Sequence, residues 1–238
     1  MTATGRGAQR QPDDFYETQP WVVRAILPHL TPGPVIDPFC GRGSILNVVR
    51  REWGFPTFGI EIDADRATVA AAGPHAVERG DAFGAARWTN EPASTVTNPP
   101  YSRAMEAILR AAAESPRHER AFLLRIGFIG SQTRAAFHRT HPADVFVLPR
   151  RPEFVASIKC KAQRANGQSR GCGWAVVQML DEPRPKSCPN CGATSLQIST
   201  TDSTEYGWFV WGPGRGGRWS ILDVDVPVAP AGAGGDAP

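Results

Sequence analysis

One short stretch restricts the fold more than any other. Pro34-Val35-Ile36-Asp37-Pro38-Phe39-Cys40-Gly41-Arg42-Gly43 is an apolar run that ends in a carboxylate, followed by two glycines one residue apart. A short apolar run bounded by turn formers reads as a buried strand, and Gly-x-Gly lets the backbone turn tightly into a helix. Ser44 to Trp53 supplies that helix pattern. The alternation then repeats. Strand-like segments are expected at Thr57 to Asp63, Ala76 to Val77, Ser94 to Asn98, Ala121 to Phe128 and Asp144 to Leu148. Helices are expected at Ala64 to Ala72, Arg103 to Glu114 and Gln132 to Arg139. Repeated strand–helix units argue for an α/β fold, a mostly parallel sheet covered by helices. In such sheets the ligand crevice lies at the carboxyl ends of the strands.

The regularity breaks after Phe154. Residues 155–204 are rich in Gly, Ser, Arg, Lys and Cys, with only Trp174 to Leu180 strand-like, before Tyr206 to Trp211 and Ser220 to Val226 resume the β pattern. We therefore read one domain over 12–226 with an insertion at 155–204, flanked by tails at 1–11 and 227–238 of small and polar residues expected to be disordered. The formal net charge of +3 is too small to define a partner. Lysine occurs only at 159, 161 and 186, so the positive charge is nearly all arginine. No run approaches the roughly 18 apolar residues of a membrane span, and Met1 to Gln11 lacks the apolar centre of a secretory signal. A cytoplasmic protein with no membrane partner is expected.

Four motifs carry chemistry. Asp37, at the end of the first strand, is placed to pair with an ammonium such as that of a methionine moiety, although the same turn serves nucleotides generally. Glu61, 20 positions after Gly41, ends the next strand in Gly59-Ile60-Glu61-Ile62-Asp63 and can take two ribose hydroxyls, while Asp63 is the candidate cap of the following helix. Gly80-Asp81-Ala82-Phe83 offers an acceptor for an adenine amino group with an aromatic ring beside it, or simply an exposed loop carboxylate. Thr97-Asn98-Pro99-Pro100-Tyr101 is the most specific. An amino nitrogen on a base is a poor nucleophile because its lone pair is conjugated with the ring. Two acceptors, the Asn98 side-chain oxygen and the Pro99 carbonyl, favour its passage from planar towards tetrahedral. One such preorganised hydrogen bond contributes on the order of 3 kcal/mol. Pro99 and Pro100 lack N–H groups and so leave acceptors facing the base. Tyr101 offers a face on which an extruded base can stack.

In order and spacing these motifs resemble the amino-group DNA methyltransferases, in the adenine-N6 branch that carries Asn-Pro-Pro-Tyr. The similarity spans Asp14 to Phe154 and resumes at Tyr206. It implies a Rossmann-like, mostly parallel seven-stranded sheet with one antiparallel strand and a Cys-containing insertion before the last strands. It implies S-adenosyl-L-methionine as cofactor, double-stranded DNA as partner, and direct transfer to a flipped base. The catalytic residues would be Asn98, Pro99, Pro100 and Tyr101. Cofactor contacts would come from Phe15, Tyr16, Thr18, Asp37, Phe39, Gly41, Gly43, Glu61, Ile62, Asp81, Ala82 and Asn98. Phe15, Tyr16 and Thr18 lie in an aromatic segment ahead of the glycine turn, in which Gln19 stands where related enzymes often have proline. Tyr101 and Phe154 would wall the base pocket, with Arg150 and Arg151 near DNA phosphates. The length, with no nuclease or helicase segment, is similar to solitary, phage-type enzymes.

Related chemistries use the same loop on an RNA base or a protein glutamine. Glutamine methylases usually carry a helical domain before the sheet, where 33 residues precede Pro34 here, and cytosine-N4 enzymes usually have serine in place of Asn98. A zinc-dependent DNA-binding protein with an inactive methylase core is the remaining alternative. Cys188-Pro189-Asn190-Cys191 has the spacing of half a zinc knuckle, and Cys160 and Cys172 share its segment. A structural zinc site, unliganded thiols and a redox pair are the readings of these four. Lys159, Lys161, Arg164, Arg170 and Arg184 make the insertion a candidate reader of DNA sequence. Cys40 is expected to be a small packed residue.

Overall fold

The computed structural model describes residues 16–85, 88, 93–114, 117–161, 172–179, 183–199 and 204–224. The expected tails and Phe15 lie outside the described residues. Two compact units emerge: Glu17–Arg151 with Thr204–Pro238, and Met1–Tyr16 with Pro152–Ser203.

The larger unit is built from α1 (Pro20–Ile26), β1 (Val35–Asp37), α2 (Ser44–Trp53), β2 (Thr57–Glu61), α3 (Ala64–Ala71), β3 (Ala76–Arg79), β4 (Ser94–Thr97), α4 (Ala104–Glu114), β5 (Arg120–Arg125), α5 (Gln132–Thr140) and β6 (Asp144–Val147). The smaller unit contributes β7 (Val155–Cys160), β8 (Ala175–Met179) and β9 (Leu196–Ser199), after which β10 (Tyr206–Trp211) and β11 (Trp219–Ile221) return to the larger.

Eight strands form one sheet in the order β11-β6-β10-β5-β4-β1-β2-β3. Only β10 is antiparallel to its neighbours, β5 and β6. This is a Rossmann-like, mostly parallel α/β sheet, as the alternation predicts. After β3 the chain crosses to the far side of β1 to form β4, so the order reverses between β1 and β4. That switch point, at the carboxyl ends of the strands, is where open α/β sheets bind ligands. Every residue of β1 and of β10 is buried, as the interior of a covered sheet requires. The core gathers Ile36, Ile60, Trp88, Ile108, Phe122 and Phe209.

Three boundaries differ from the sequence reading. The long strand expected to reach Phe128 stops at Arg125, because Ile126–Phe128 closes into a 3-10 turn. The helix expected from Arg103 begins at Ala104, after a 3-10 turn over Tyr101–Arg103. The last strand is Trp219–Ile221 rather than Ser220 to Val226, and it makes the sheet eight-stranded where seven were expected. The cause is Asp144, buried at the start of β6. Its carboxylate accepts from the backbone amides of Gly216, Gly217 and Arg218 at 3.1, 3.1 and 3.0 Å and from both Arg215 and Arg218 guanidinium groups. Burial opposes its ionisation, yet these donors hold the carboxyl well below its usual range. The grip carries the loop across the head of β6 and sets β11 parallel to it.

β6 ends at the carboxyl edge of the sheet, and β10 starts there, with Tyr206 opposite Arg125 and Gly207 opposite Val147. Arg151 and Glu205, at the two connections to the inserted segment, are joined by a hydrogen bond of 3.2 Å from Nε. The chain thus leaves β6 and enters β10 at the same edge, and β10 runs antiparallel to β6.

A Cβ on Gly207 would lie 2.9 Å from the Phe146 carbonyl oxygen and 2.9 Å from Ile126 Cδ1. Gly207→Ala should therefore cost about 1–3 kcal/mol, lowering Tm by roughly 2–12 °C in a calorimetric scan. An unchanged Tm would show that β10 can shift without strain.

The smaller unit is a three-stranded antiparallel sheet, β8-β7-β9. Its β7 and β9 were not legible as strands in the sequence. Ile158, Phe154, Cys160 and Cys188 are its buried apolar side chains among the described residues.

Candidate active site

Asp37 ends β1 with its carboxylate buried. Oδ1 accepts from the Thr97 hydroxyl at 2.6 Å and from the Phe39 amide at 3.1 Å. Thr97 ends β4, so this bond joins the two strands that flank the switch point. Burial pushes the Asp37 carboxyl up to about 7, against the lowering pull of the Thr97 and Phe39 bonds, and nearby Glu61 adds to the rise. Thr97 is a functional residue the sequence reading quoted without a role; its place directly before Asn98 was the available signal.

The glycine turn comes next. Gly41 and Gly43 have φ of 53° and 84°, the left-handed region that glycine enters without strain. Gly43 caps α2, and a Cβ there would meet Ala70 Cβ of α3 at 3.4 Å. The Gly41 amide donates to Glu61 Oε2 at 2.8 Å, and the Asp63 amide donates to Oε1 at 2.9 Å. Arg66 Nε donates to the same Oε1 at 3.2 Å. Glu61 is thus a buried carboxylate fixed between the first turn and the head of α3, with lone pairs beyond these bonds. Asp63 caps α3, accepting from the amides of Asp65 and Arg66. Ile62, between the two carboxylates, is 58% exposed. Cys40 is buried with Leu46 and Ala70, and burial raises its thiol far from the thiolate form. It is a packing residue, as expected.

Asp81 is exposed and accepts from the Phe83 amide at 3.1 Å. Ala82 is buried. Phe83 packs on Phe39 with ring centroids 5.5 Å apart, and both meet buried Trp88. The Arg103 guanidinium lies 3.6 Å from the centre of the Phe83 ring and 3.8 Å from Asp81 Oδ1. Arg103, 20 positions from Phe83, and Trp88 were not among the residues expected at the site.

Asn98 lies immediately after β4. Its Nδ2 donates to the Thr18 hydroxyl at 3.1 Å, and Thr18 is buried. This bond sets the rotation of the amide, with Oδ1 on the branch away from Thr18. Pro99 is buried, Pro100 is half-buried and Tyr101 opens the 3-10 turn. The Tyr101 ring is half-buried, with Tyr206 at 5.9 Å and the Arg125 guanidinium 5.2 Å from its centre. Its face is therefore shared with Arg125, which the sequence reading did not foresee.

Thr18, Asp37, Phe39, Gly41, Gly43, Glu61, Ile62, Asp81, Ala82, Asn98, Pro99, Pro100 and Tyr101 all belong to the larger unit, on the segments at or after the carboxyl ends of β1, β2, β3 and β4 or, for Thr18, bonded to Asn98. Tyr16 and Phe154 belong to the smaller unit, where their rings pack on each other at 5.6 Å. Of the two arginines expected to meet phosphate, Arg150 lies over the Trp21 ring at 4.5 Å and Arg151 is paired with Glu205. Cys160, Cys172, Cys188 and Cys191 bring their sulfurs within 4.8 Å of one another, a group that could hold a metal ion.

No protein-family model matches the chain, and no curated protein matches it. Among solved structures it is similar to an RNA methyltransferase from Salinibacter ruber bound to S-adenosyl-L-homocysteine, at 20% identity over 45% of this chain and 76% of that one, with a TM-score of 0.40. It is also similar to a protein from Agrobacterium tumefaciens described as a predicted O-methyltransferase, at 12% identity over 92% and 91% of the chains, TM-score 0.49. A third is TrmN from Thermus thermophilus, at 18% identity over 81% of this chain and 48% of that one, TM-score 0.43. The likeness is one of chain fold at most, and the topology above stands on the strand pairings themselves. No helix among the described residues is long and apolar enough to cross a membrane.

The buried carboxylate gives a pH signature. With Asp37 titrating at about 7 in the fold against an ordinary 3.8, the folded state holds an extra proton between those values. Its contribution to stability therefore falls as pH rises from about 4 to 7. Asp37→Asn should flatten the slope of Tm against pH across that window. A slope identical to that of the unchanged protein would contradict the buried, proton-holding state.

Proposed function

We propose that this protein transfers a methyl group from S-adenosyl-L-methionine to the N6 amino nitrogen of adenine in double-stranded DNA. The observation that carries the reading is Asn98: an amide held by Thr18 at the end of β4, beside the Asp37–Thr97 bond and directly before two prolines. S-adenosylmethionine supplies an electrophilic methyl on a sulfonium sulfur. The chain's residues bind and aim. Asp37 takes the ammonium of the cofactor, which draws the carboxyl into its ionised form, so affinity rises with pH towards about 7. Glu61 takes the ribose hydroxyls, and Asp81 accepts from the cofactor's adenine amino group. Ile62, Phe39 and Phe83 line that ring, for which Arg103 leaves the face of Phe83. Gly41, Gly43, Ala82 and Thr18 complete the cofactor site.

At the target, the Asn98 Oδ1 and the Pro99 carbonyl accept the two amino hydrogens of a flipped adenine. This localises the nitrogen lone pair for direct attack, with no covalent enzyme intermediate. Tyr101 stacks on the base, with Arg125 moving to its edge. In this reading the insertion, with Lys159, Lys161 and Arg184, reads the sequence around the target.

Incubation with methyl-labelled cofactor and duplex DNA, followed by mass spectrometry of the nucleosides, should find the label in N6-methyladenine. Label in cytosine, or only in RNA or protein, would overturn the assignment. Asn98→Ala should reduce transfer by at least 10²-fold, as loss of a preorganised acceptor does, while cofactor still binds. Retained turnover would contradict the mechanism.

A further inference from the structure

We propose that the inserted unit is organised by one structural Zn²⁺ held by the thiolates of Cys160, Cys172, Cys188 and Cys191. The inference is independent of the transfer chemistry. The four residues come from three separate stretches of chain: the end of β7, the approach to β8, and the turn before β9. They nevertheless bring all four sulfurs within 4.8 Å of one another. Two pairs are closer still, Cys160–Cys191 at 3.6 Å and Cys172–Cys188 at 3.4 Å. Ligands about 2.3 Å from zinc at tetrahedral angles lie roughly 3.8 Å apart. A disulfide would need about 2.05 Å, and all four cysteines are free thiols.

The backbone supports the same reading. Cys172 and Cys191 are each followed by a glycine with positive φ, Gly173 at 86° and Gly192 at 71°. Two unrelated stretches thus place a left-handed glycine directly after a cysteine. The Cys188–Cys191 turn is closed further by Gly192 N donating to the Cys188 carbonyl at 2.8 Å and Cys188 N donating to the Ala193 carbonyl at 2.8 Å.

The unit also needs a staple. Its strands are short, β9 is largely exposed, and Ile158 and Phe154 are the large apolar side chains it buries among the described residues. Small sheets of this kind are commonly stapled by a metal or disulfides. Binding releases four protons: four thiols and Zn²⁺ give a tetrathiolate complex of net charge −2. Three basic side chains beside the cysteines, Lys159, Lys161 and Lys186, are exposed and complement that charge. Zinc is the ion for which a closed tetrahedron of thiolates is a folding element rather than a reactive centre.

Metal analysis of the full-length protein, purified under reducing conditions from zinc-containing medium, should find one zinc per chain. Exchange with Co²⁺ should give the intense visible absorption of tetrahedral cobalt thiolate. Cys188→Ser should lose the zinc, Cys188→His should keep it, and Cys40→Ser should leave it at one per chain. Stripping the metal should expose the bonds after Lys159, Lys161 and Lys186 to trypsin. A chain without metal, iron in place of zinc, a Cys160–Cys191 or Cys172–Cys188 disulfide in peptide maps, or full zinc content in Cys188→Ser would each overturn the proposal.

Discussion

The site depends on a carboxylate taken out of water at the seam of the sheet. Asp37 ends β1 where the strand order reverses, and the Thr97 hydroxyl from β4 meets it at 2.6 Å. An unpaired ionised carboxylate there would be expensive, so the fold compensates with two donors and a raised pKa. That bond positions the segments leaving both strands. The glycine turn departs from Asp37 on one side, and Asn98 departs from Thr97 on the other. A second carboxylate, Glu61, clamps the first turn to the head of α3 through the Gly41 and Asp63 amides. Two buried acids on adjacent strand ends make this crevice chemically distinct from the rest of the surface.

The two units solve different stability problems. The larger one buries extended apolar strands and needs no help from chemistry beyond the sheet. Where it is irregular, as in the loop 212–218, a single carboxylate, Asp144, satisfies three backbone amides and two guanidinium groups. Among its described residues the smaller one buries Phe154 and Ile158 and gathers four sulfurs. β10, entered from the carboxyl edge of the sheet, is the one antiparallel strand among the eight.

The parallel sheet was legible because strand and helix periods alternate locally, and because Asp37, Glu61 and Asn98 each stand at a strand end marked by glycine or proline. The cap at Asp63 was legible for the same reason. The features that escaped were non-local or weakly apolar. Pro20–Ile26 carries a Pro at its first turn and a buried face of Val22, Val23, Ala25 and Ile26, yet it is only seven residues long, too short for its period to mark a helix. β7 and β9 mix Ser, Lys and Gln with apolar residues, so periodicity could not find them. The cover of Arg103 on Phe83 and of Arg125 on Tyr101 joins residues 20 and 24 positions apart through the fold alone, which local pattern cannot report. The Thr18–Asn98 bond spans 80 positions.

The most direct test of the account is a crystal structure with S-adenosyl-L-homocysteine bound. It predicts the ligand's ammonium within hydrogen-bonding distance of Asp37, its ribose hydroxyls on Glu61, its adenine against Phe83 with Arg103 displaced, and the sulfur facing Asn98. A ligand seated away from the β1–β4 seam, or bound with its ammonium turned from Asp37, would contradict it.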